Sequence, residues 1–296
     1  MLRNSFKGIF IALTTPFEEE EISLKYFSSN LEKYNQSDVT GYVVLGTTGE
    51  SAHLDDNESM KLLETARKVS SKGKKIIAGA ARESTHHTIQ FTNQAAEMGI
   101  EAALVRTPGY FKNKINREAL KKHYLTLADS AKIPIIIYHI PQNTGISLPQ
   151  ELLCELAEHP NISGIKDSSG NLDFLTQVIS LLPVSFNYLL GAGSLIFSGL
   201  SLGISGGILA LAAVVPNLGA KLYTLFHQNK LEEARCLQLE LAPLNACLTQ
   251  VYGVSGLKYA LDRLGFYGGL PRSPLLPLDQ KGKEQIDGLL KKLGLI

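Results

Sequence analysis

The sequence contains few of the residues that build metal sites or disulfide frameworks. Its 296 residues include no tryptophan and only three cysteines. Cys154, Cys236 and Cys247 are odd in number and lack the spacing of metal ligands, which argues against both kinds of site. Each falls in a helical pattern, where we expect a buried free thiol. Such thiols are typical of a reducing compartment, so we predict a cytoplasmic protein.

Clustered charge and long apolar runs are also missing. The net charge is +1, and no stretch combines basic with interleaved aromatic residues, which argues against a nucleic-acid partner. The first residues, Met1 to Ser5, lead into a strand-like run without the apolar core of a signal peptide. The longest apolar run, residues 204–215, contains two glycines and is too short to cross a bilayer, so we expect no membrane partner.

Short runs rich in valine, isoleucine and alanine alternate with longer amphipathic stretches, as in β/α units. Continuous apolar runs such as residues 135–137 predict strands covered on both faces. Eight successive units predict an α/β fold, a (β/α)8 TIM barrel. The alternative is a doubly wound sheet, but residues 13–17 lack the glycine-rich turn that usually follows its first strand. The predicted strands begin near Gly8, Val39, Lys74, Glu101, Ile133, Asn161, Phe186 and Ile204.

The chain continues well beyond the eighth predicted strand. About eighty residues remain there, more than one closing barrel helix needs. We therefore predict a catalytic barrel over residues 1–228 and a C-terminal helical segment over residues 229–296.

A lysine closes the sixth predicted strand. Side chains at the carboxyl ends of barrel strands belong to the active sites of such enzymes, and Lys166 has this position. Burial disfavours the ammonium form of a lysine, and a neutral amine attacks a ketone to give an imine that accepts electrons. The alternative is a lysine at the barrel rim, paired with Asp167 or with a phosphate ligand. Position alone leaves both interpretations open.

Other strand ends also carry groups suited to chemistry. The turn Gly46-Thr47-Thr48-Gly49 supplies hydroxyl and N–H groups that suit a carboxylate or a phosphate, or it is a plain turn. Tyr138 is either a proton shuttle or a core aromatic. His139 alternates to the other face of the strand, so we interpret it as structural. The glycines at 191, 193, 206 and 207 suit a phosphate site or close approach by a substrate.

Together these strand ends resemble the dihydrodipicolinate synthase / N-acetylneuraminate lyase family of pyruvate-dependent class I aldolases. The resemblance extends from Phe6 to Leu293. It is carried by three motifs in order: Gly46-Thr47-Thr48-Gly49-Glu50, Tyr138-x-x-Pro141-x-x-Thr144-Gly145 and Gly164-Ile165-Lys166-Asp167-Ser168.

The resemblance implies a role for each matching residue. Lys166 matches the Schiff-base lysine, and Tyr138 the tyrosine that shuttles protons. Thr47 and Thr48 match the pair that relays protons and holds the pyruvate carboxylate. Tyr110 matches a tyrosine that completes the proton relay of a neighbouring subunit. Further substrate-binding positions are Gly46, Asn143, Gly191 and Ile208.

The resemblance also implies an assembly and a chemistry. Members of the family are usually homotetramers built as a dimer of dimers. They bind pyruvate and need neither a metal nor an organic cofactor. We therefore expect a homotetramer without a cofactor.

One position departs from the lysine-pathway synthases, which carry an arginine two residues after the proline of the second motif. That arginine binds the carboxylate of aspartate semialdehyde, and Asn143 stands in its place. The Asn-Thr-Gly form, with residues 253–258 and 266–269, is more similar to 4-hydroxy-2-oxoglutarate aldolases. We therefore predict cleavage of 4-hydroxy-2-oxoglutarate to pyruvate and glyoxylate.

Other functions remain as alternatives. Within the family, the first alternative is the synthase that condenses pyruvate with aspartate semialdehyde; it shares the Thr47-Thr48 pair. A sialic acid lyase is disfavoured, because such relatives carry Ser-Thr in the glycine turn. Outside the family, the alternatives are a barrel that binds a 2-oxo acid without turnover and a sugar-phosphate enzyme.

Overall fold

The computed structural model describes residues 5–296, and its eight barrel strands form a closed barrel in which each strand neighbours the next along the chain. This confirms the predicted (β/α)8 TIM barrel. Each strand begins within two residues of its predicted start. The strands are β1 (Gly8–Ala12), β2 (Gly41–Val44), β3 (Lys75–Gly79), β4 (Ala102–Arg106), β5 (Ile135–His139), β6 (Ile162–Asp167), β7 (Asn187–Leu190) and β8 (Gly206–Leu209).

Helices connect the strands and continue after the last one. Asp55 caps the second helix with a capping box, accepting from the N–H of Glu58 while the Glu58 side chain accepts from the N–H of Asp55. The helices are α1 (Leu24–Tyr34), α2 (Asp56–Val69), α3 (Thr85–Glu97), α4 (Arg117–Ser130), α5 (Pro141–Thr144), α6 (Gln150–Ala157), α7 (Leu172–Ile179), α8 (Ile196–Ser201), α9 (Leu211–Val214), α10 (Pro216–His227), α11 (Leu231–Ala246), α12 (Gly253–Arg263) and α13 (Gln280–Lys292).

The chain divides into two compact units. The first contains Ile77–Ile208 together with the segment that ends at Gly8, and the second contains Ile9–Ile76 and Leu209–Ile296. Every residue of β5 and β6 is buried, as their apolar runs predict. The second unit contains α11, α12 and α13. The predicted boundary between residues 228 and 229 stays a prediction.

The cysteines differ in part from the prediction. All three are free, but only Cys247 is buried; Cys154 is half-buried and Cys236 is exposed. Cys236 lies on the outer side of α11, because an amphipathic pattern tolerates a small side chain on either face. Among residues 5–296, no helix is both long and apolar enough to span a membrane.

Candidate active site

Lys166 and Tyr138 meet at the carboxyl ends of β6 and β5. The two residues are direct partners in the parallel register of these strands, so their side chains leave the sheet on the same face. Lys166 is 4% exposed and Tyr138 is 5% exposed. Lys166 Nζ lies 4.1 Å from the centroid of the Tyr138 ring. The structure therefore buries an amine over the face of a tyrosine ring, and Lys166 is no solvated rim lysine.

A glycine at the end of β7 gives this lysine its space. A Cβ at Gly191 would overlap Ser168 Oγ and would lie 3.1 Å from Lys166 Cε. The Gly191 N–H donates to the Asp167 carbonyl at 2.7 Å. A larger residue at 191 would displace the Ser168 side chain and crowd Lys166, so glycine lets the backbone approach both side chains.

Behind Lys166, on the opposite face of the sheet, a buried carboxylate joins three neighbours. Asp167 Oδ1 accepts from His139 Nδ1 at 3.0 Å and from the Ser169 N–H at 2.9 Å, and Oδ2 accepts from the Tyr188 hydroxyl at 2.8 Å. His139 Nε2 accepts from the Leu148 N–H at 3.3 Å, so the ring carries its proton on Nδ1. His139 is structural, as its alternation predicted. We call Asp167, His139 and Tyr188 the Asp167 cluster.

Burial and hydrogen bonding act in opposite directions on this cluster. Burial raises the pKa of Asp167, but the hydrogen bonds from His139 and Ser169 outweigh it and hold the pKa below its ordinary value. Burial and the adjacent Asp167 charge raise the pKa of Tyr188. The cluster therefore contains a carboxylate that remains ionised, and it connects the ends of β5, β6 and β7.

The glycine turn after β2 lies in the second unit. Its backbone is closed by two hydrogen bonds, from the Gly49 N–H to the Gly46 carbonyl and from the Glu50 N–H to the Thr47 carbonyl, each 3.0 Å long. Gly46 is buried, Thr48 is half-buried and Thr47 is exposed. The turn thus presents both threonines at the carboxyl end of β2.

The loop after β4 carries an exposed aromatic pair. Tyr110 is 80% exposed, and the neighbouring Phe111 ring packs edge-on against it with centroids 5.1 Å apart. Glu83 Oε2 accepts from the N–H groups of Gly109 and Tyr110, each at 3.0 Å. The backbone of Tyr110 is therefore tethered while its ring faces outward.

The remaining predicted positions lie at other strand ends. Ile208 is buried in β8. Asn143 is exposed in α5, where its N–H donates to the Ile140 carbonyl at 3.1 Å. Next to it, the Gln142 side chain donates to the Ser168 carbonyl at 2.9 Å and thereby connects α5 with the loop after Lys166.

The buried partners of the two motif carboxylates, Asp167 and Glu50, were not predicted from the sequence. Asp167 entered only as a possible partner of a rim lysine, whereas its partners are His139, Tyr188 and Ser169. Glu50 entered only as the last letter of a motif, and its ion pair with Lys258 was not foreseen. One clue to that pair was available: Lys258 stands between Leu257 and Leu261 on the apolar face of α12.

Known proteins resemble the chain along its whole length. The dihydrodipicolinate synthetase family model matches residues 5–293. The 4-hydroxy-tetrahydrodipicolinate synthase of Thermodesulfovibrio yellowstonii is 34% identical over 291 residues, 98% of this chain and 99% of that protein. The enzyme of the same name from Archaeoglobus fulgidus is 36% identical over 292 residues, 98% of this chain and 99% of that protein.

A solved structure is similar to this chain over nearly its whole length. The crystal structure of dihydrodipicolinate synthase from Aquifex aeolicus has a TM-score of 0.93 and 32% sequence identity, covering 98% of this chain and 99% of that chain. The protein is thus a barrel enzyme, a carbon–carbon lyase of the class I aldolase type. It belongs to the dihydrodipicolinate synthetase family.

Proposed function

We propose that the protein forms a Schiff base between Lys166 and pyruvate and condenses it with aspartate semialdehyde. The observation that carries the first half is the buried Lys166 amine, 4.1 Å from the Tyr138 ring centroid. The second half is supported by the relatives named 4-hydroxy-tetrahydrodipicolinate synthase, which align with nearly the whole chain. These relatives favour the synthase over the predicted 4-hydroxy-2-oxoglutarate aldolase.

The chemistry requires one amine and several proton transfers. Lys166 Nζ attacks the ketone carbon of pyruvate, and the carbinolamine loses water to give an imine. The imine acidifies the pyruvate methyl group, which loses a proton to form an enamine. The enamine carbon attacks the aldehyde carbon, a carbon–carbon bond forms, and the aldehyde oxygen takes a proton. Hydrolysis of the resulting imine, or its displacement by the product amine, frees Lys166.

The proton transfers are assigned to hydroxyl groups. The Tyr138 hydroxyl carries protons to and from the substrate oxygen, and Thr47 and Tyr110 continue the relay. Thr48 and the Gly46 backbone hold the pyruvate carboxylate. These roles follow from the family resemblance, as do those of Gly191 and Ile208 in lining the pyruvate position and of Asn143 in contacting the acceptor.

A lysine side chain, Lys112, lies near the loop in which Asn143 stands in place of the arginine. A Cβ at Gly145 would lie 3.0 Å from Lys112 Cδ and 3.7 Å from Lys112 Nζ, so this side chain extends across the end of α5. Asn143 lies two residues before Gly145. Lys112 thus supplies the positive charge for the acceptor carboxylate that Asn143 cannot supply. A lysine is a point charge and makes no bidentate clamp, so we expect weaker binding than with arginine.

Asn143 itself favours a second candidate, the cleavage of 4-hydroxy-2-oxoglutarate to pyruvate and glyoxylate. Glyoxylate is smaller than aspartate semialdehyde and has no distant amino acid group to anchor. A missing charge-assisted hydrogen bond costs about 1.5–3 kcal/mol, roughly a tenfold to hundredfold loss in kcat/KM for the semialdehyde. Glyoxylate is spared this loss.

Borohydride trapping tests the chemistry common to both candidates. Incubation with pyruvate and borohydride is expected to add a reduced pyruvyl group at Lys166 and to abolish activity, and Lys166→Met is expected to remain unlabelled. Peptide mass spectrometry identifies the site. An adduct at a different lysine contradicts the assignment, and no adduct at all favours a barrel that binds a 2-oxo acid without turnover.

A second experiment decides the acceptor. We expect a higher kcat/KM for condensation with aspartate semialdehyde than for cleavage of 4-hydroxy-2-oxoglutarate. Asn143→Arg is expected to raise the ratio and Lys112→Met to lower it, while Lys114→Met, another exposed lysine of the same short turn, is the matched control. A wild-type preference for 4-hydroxy-2-oxoglutarate replaces the synthase with the second candidate.

The assembly and location are proposed with the function. A homotetramer built as a dimer of dimers gives the exposed Tyr110 ring a neighbouring subunit to enter, and a cytoplasmic location matches a pyruvate-consuming reaction. Sedimentation measurements test the assembly: a fully active monomer would exclude the relay role of Tyr110.

A further inference from the structure

We propose that the C-terminal segment positions the glycine turn for substrate binding through a buried ion pair, Glu50–Lys258, with Arg272 as its second anchor. Glu50, Lys258 and Arg272 are therefore positioning residues of the reaction, and this role rests on the proposed function of Thr47 and Thr48. All the residues involved belong to the second unit. We call these three residues the Glu50 cluster.

Glu50 ends the turn in an unusual backbone conformation. Its φ of 55° lies in the left-handed region, which a residue with a side chain rarely adopts. The residue is 3% exposed, and its N–H closes the turn on the Thr47 carbonyl at 3.0 Å. The Thr15 hydroxyl adds a hydrogen bond to the Gly49 carbonyl at 2.7 Å. The surroundings therefore hold the turn in one shape at a residue where the backbone alone would relax.

Lys258 reaches this carboxylate from helix α12. Its Nζ lies 2.6 Å from Glu50 Oε1, and both side chains are excluded from solvent. The same nitrogen donates to the Leu270 carbonyl at 2.8 Å and lies 4.4 Å from the centroid of the Phe17 ring. Burial lowers the pKa of Lys258, and the Glu50 carboxylate opposes this shift. The ammonium ion thus has a carboxylate, a carbonyl and a ring face as its partners.

Arg272 holds the same carboxylate and the helix that follows the turn. Its backbone N–H donates to Glu50 Oε2 at 2.9 Å. Its guanidinium donates to the two Glu58 oxygens at 2.6 and 2.8 Å and to the His53 carbonyl at 2.7 Å. The segment after α12 is therefore connected to the end of the turn, to His53 and to the first turn of α2.

The chemistry of these contacts favours positioning over simple packing. A buried ion pair is weak evidence for stability, because desolvation of two charges offsets much of their attraction and apolar side chains of similar volume often serve as well. An ion pair with added hydrogen bonds instead fixes the direction and the distance at which the charged groups are held. The pair holds the residue directly after Gly46-Thr47-Thr48-Gly49. Loss of the pair would leave Thr47 and Thr48 in a looser turn, and small displacements of substrate-holding groups are costly to rate.

A variant that removes both charges tests the proposal. Glu50→Gln/Lys258→Met leaves no unpaired buried charge, and Arg272→Met is the fallback, because it removes the guanidinium of the less buried Arg272–Glu58 pair and leaves the Glu50–Lys258 pair intact. Lys230→Met is the matched control, since Lys230 forms an exposed pair with Glu233 at 3.9 Å in the same unit. The measurement is borohydride trapping of pyruvate at Lys166 as a function of pyruvate concentration, together with kcat/KM.

The half-saturating pyruvate concentration separates positioning from stability. A reversibly unfolding fraction raises the apparent half-saturating concentration, because the apparent value is that of the folded protein divided by the folded fraction. Each variant is therefore measured where its urea-unfolding curve shows it to be almost fully folded, and there unfolding changes the value by far less than tenfold. We expect the double variant to need roughly tenfold more pyruvate or higher, with a similar loss in kcat/KM, while Lys230→Met matches the wild type. An unchanged half-saturating concentration in a folded double variant overturns the proposal. If the double variant does not fold, an unchanged half-saturating concentration in Arg272→Met overturns it. No adduct in the wild type refutes the proposed function instead.

Discussion

Asp167 and Glu50 each place a buried carboxylate next to predicted site residues, but their partners differ in kind and in origin. Asp167 accepts hydrogen bonds from a histidine ring, a tyrosine hydroxyl and a backbone N–H, all supplied by β5, β7 and the loop after β6. Glu50 contacts a lysine and a backbone N–H from the C-terminal segment, the latter 222 residues away in sequence, and only one local ring, His53, whose Nδ1 lies 3.4 Å from Oε2.

The two carboxylates therefore depend on different parts of the chain. The Asp167 cluster is built from neighbouring strands, so any barrel that forms β5 to β7 also assembles it. The Glu50 cluster forms only when α12 and the loop after it have folded. The surroundings of Lys166 are therefore built by barrel strands, whereas the turn with the two threonines contacts the C-terminal segment through Glu50.

The largest expected loss of stability comes from removing one partner of the Glu50–Lys258 ion pair. Lys258→Met leaves the Glu50 carboxylate buried without its ammonium partner, so we expect a loss of about 3–5 kcal/mol in the free energy of unfolding. Addition of Glu50→Gln is expected to restore much of this loss. Urea unfolding of the single and double variants measures both values. If Lys258→Met were as stable as the wild type, the pair would not be a buried ion pair in solution.

A contrast to both carboxylates is His123, a buried histidine whose hydrogen-bond partner is a hydroxyl and whose neighbouring carboxylate, Glu83, only partly opposes the effect of burial on its pKa. Burial lowers the pKa of His123 from 6.5 to about 4, and its Nδ1 is 2.8 Å from the Thr85 hydroxyl. The unfolded chain therefore binds a proton that the folded chain does not. Stability from this group is complete above pH 6.5 and is lost as the pH falls toward 4, by about 3 kcal/mol.

Substitution tests this pH dependence. His123→Gln is expected to flatten the decline of unfolding free energy between pH 6.5 and pH 4, while His86→Gln, which changes an exposed histidine, keeps the wild-type slope. Urea unfolding at several pH values provides the measurement. Equal slopes for wild type and His123→Gln would contradict the burial of a neutral ring.

Disruption of the Asp167 cluster is expected to cost less than disruption of the ion pair. Asp167→Asn removes the charge that His139 and Tyr188 contact, and we expect a loss of about 2 kcal/mol at pH 7. Because the folded-state pKa of Asp167 is lowered, its stabilisation is present above the ordinary value of 3.8 and is lost as the pH falls below it. The difference between wild type and variant should therefore shrink in acid, as measured by urea unfolding at pH 7 and below pH 3.8.

The smallest effect on stability is expected outside both clusters. Tyr110→Phe removes an exposed hydroxyl and should change the free energy of unfolding by less than about 0.5 kcal/mol. If the tyrosine belongs to the proton relay, kcat falls at least about tenfold in the same protein. Phe111→Leu is the matched control at the neighbouring exposed aromatic. Unchanged turnover in Tyr110→Phe would remove this residue from the proposed mechanism.

Local patterns predicted much of the fold and one half of the site. The apolar runs located all eight strands, because strands buried on both faces need continuous apolar residues. Strand alternation separated Tyr138 from His139, whereas the opposite faces of Lys166 and Asp167 became clear only in the structure. The partner of a buried charge has no local pattern, so Tyr188 and Lys258 were not assigned.

The sequence alone determined the barrel, the strand ends and the placement of an amine and a hydroxyl on facing positions of β5 and β6. These properties depend on the two-residue period of a strand and on the pairing of consecutive parallel strands. Both follow from the local sequence pattern and the order of the strands. Tertiary structure alone decided that Lys166 is buried with room supplied by Gly191, and that Glu50 is paired with Lys258 and Arg272. Burial and ion pairing depend on side chains far apart in sequence, and only folding brings those together.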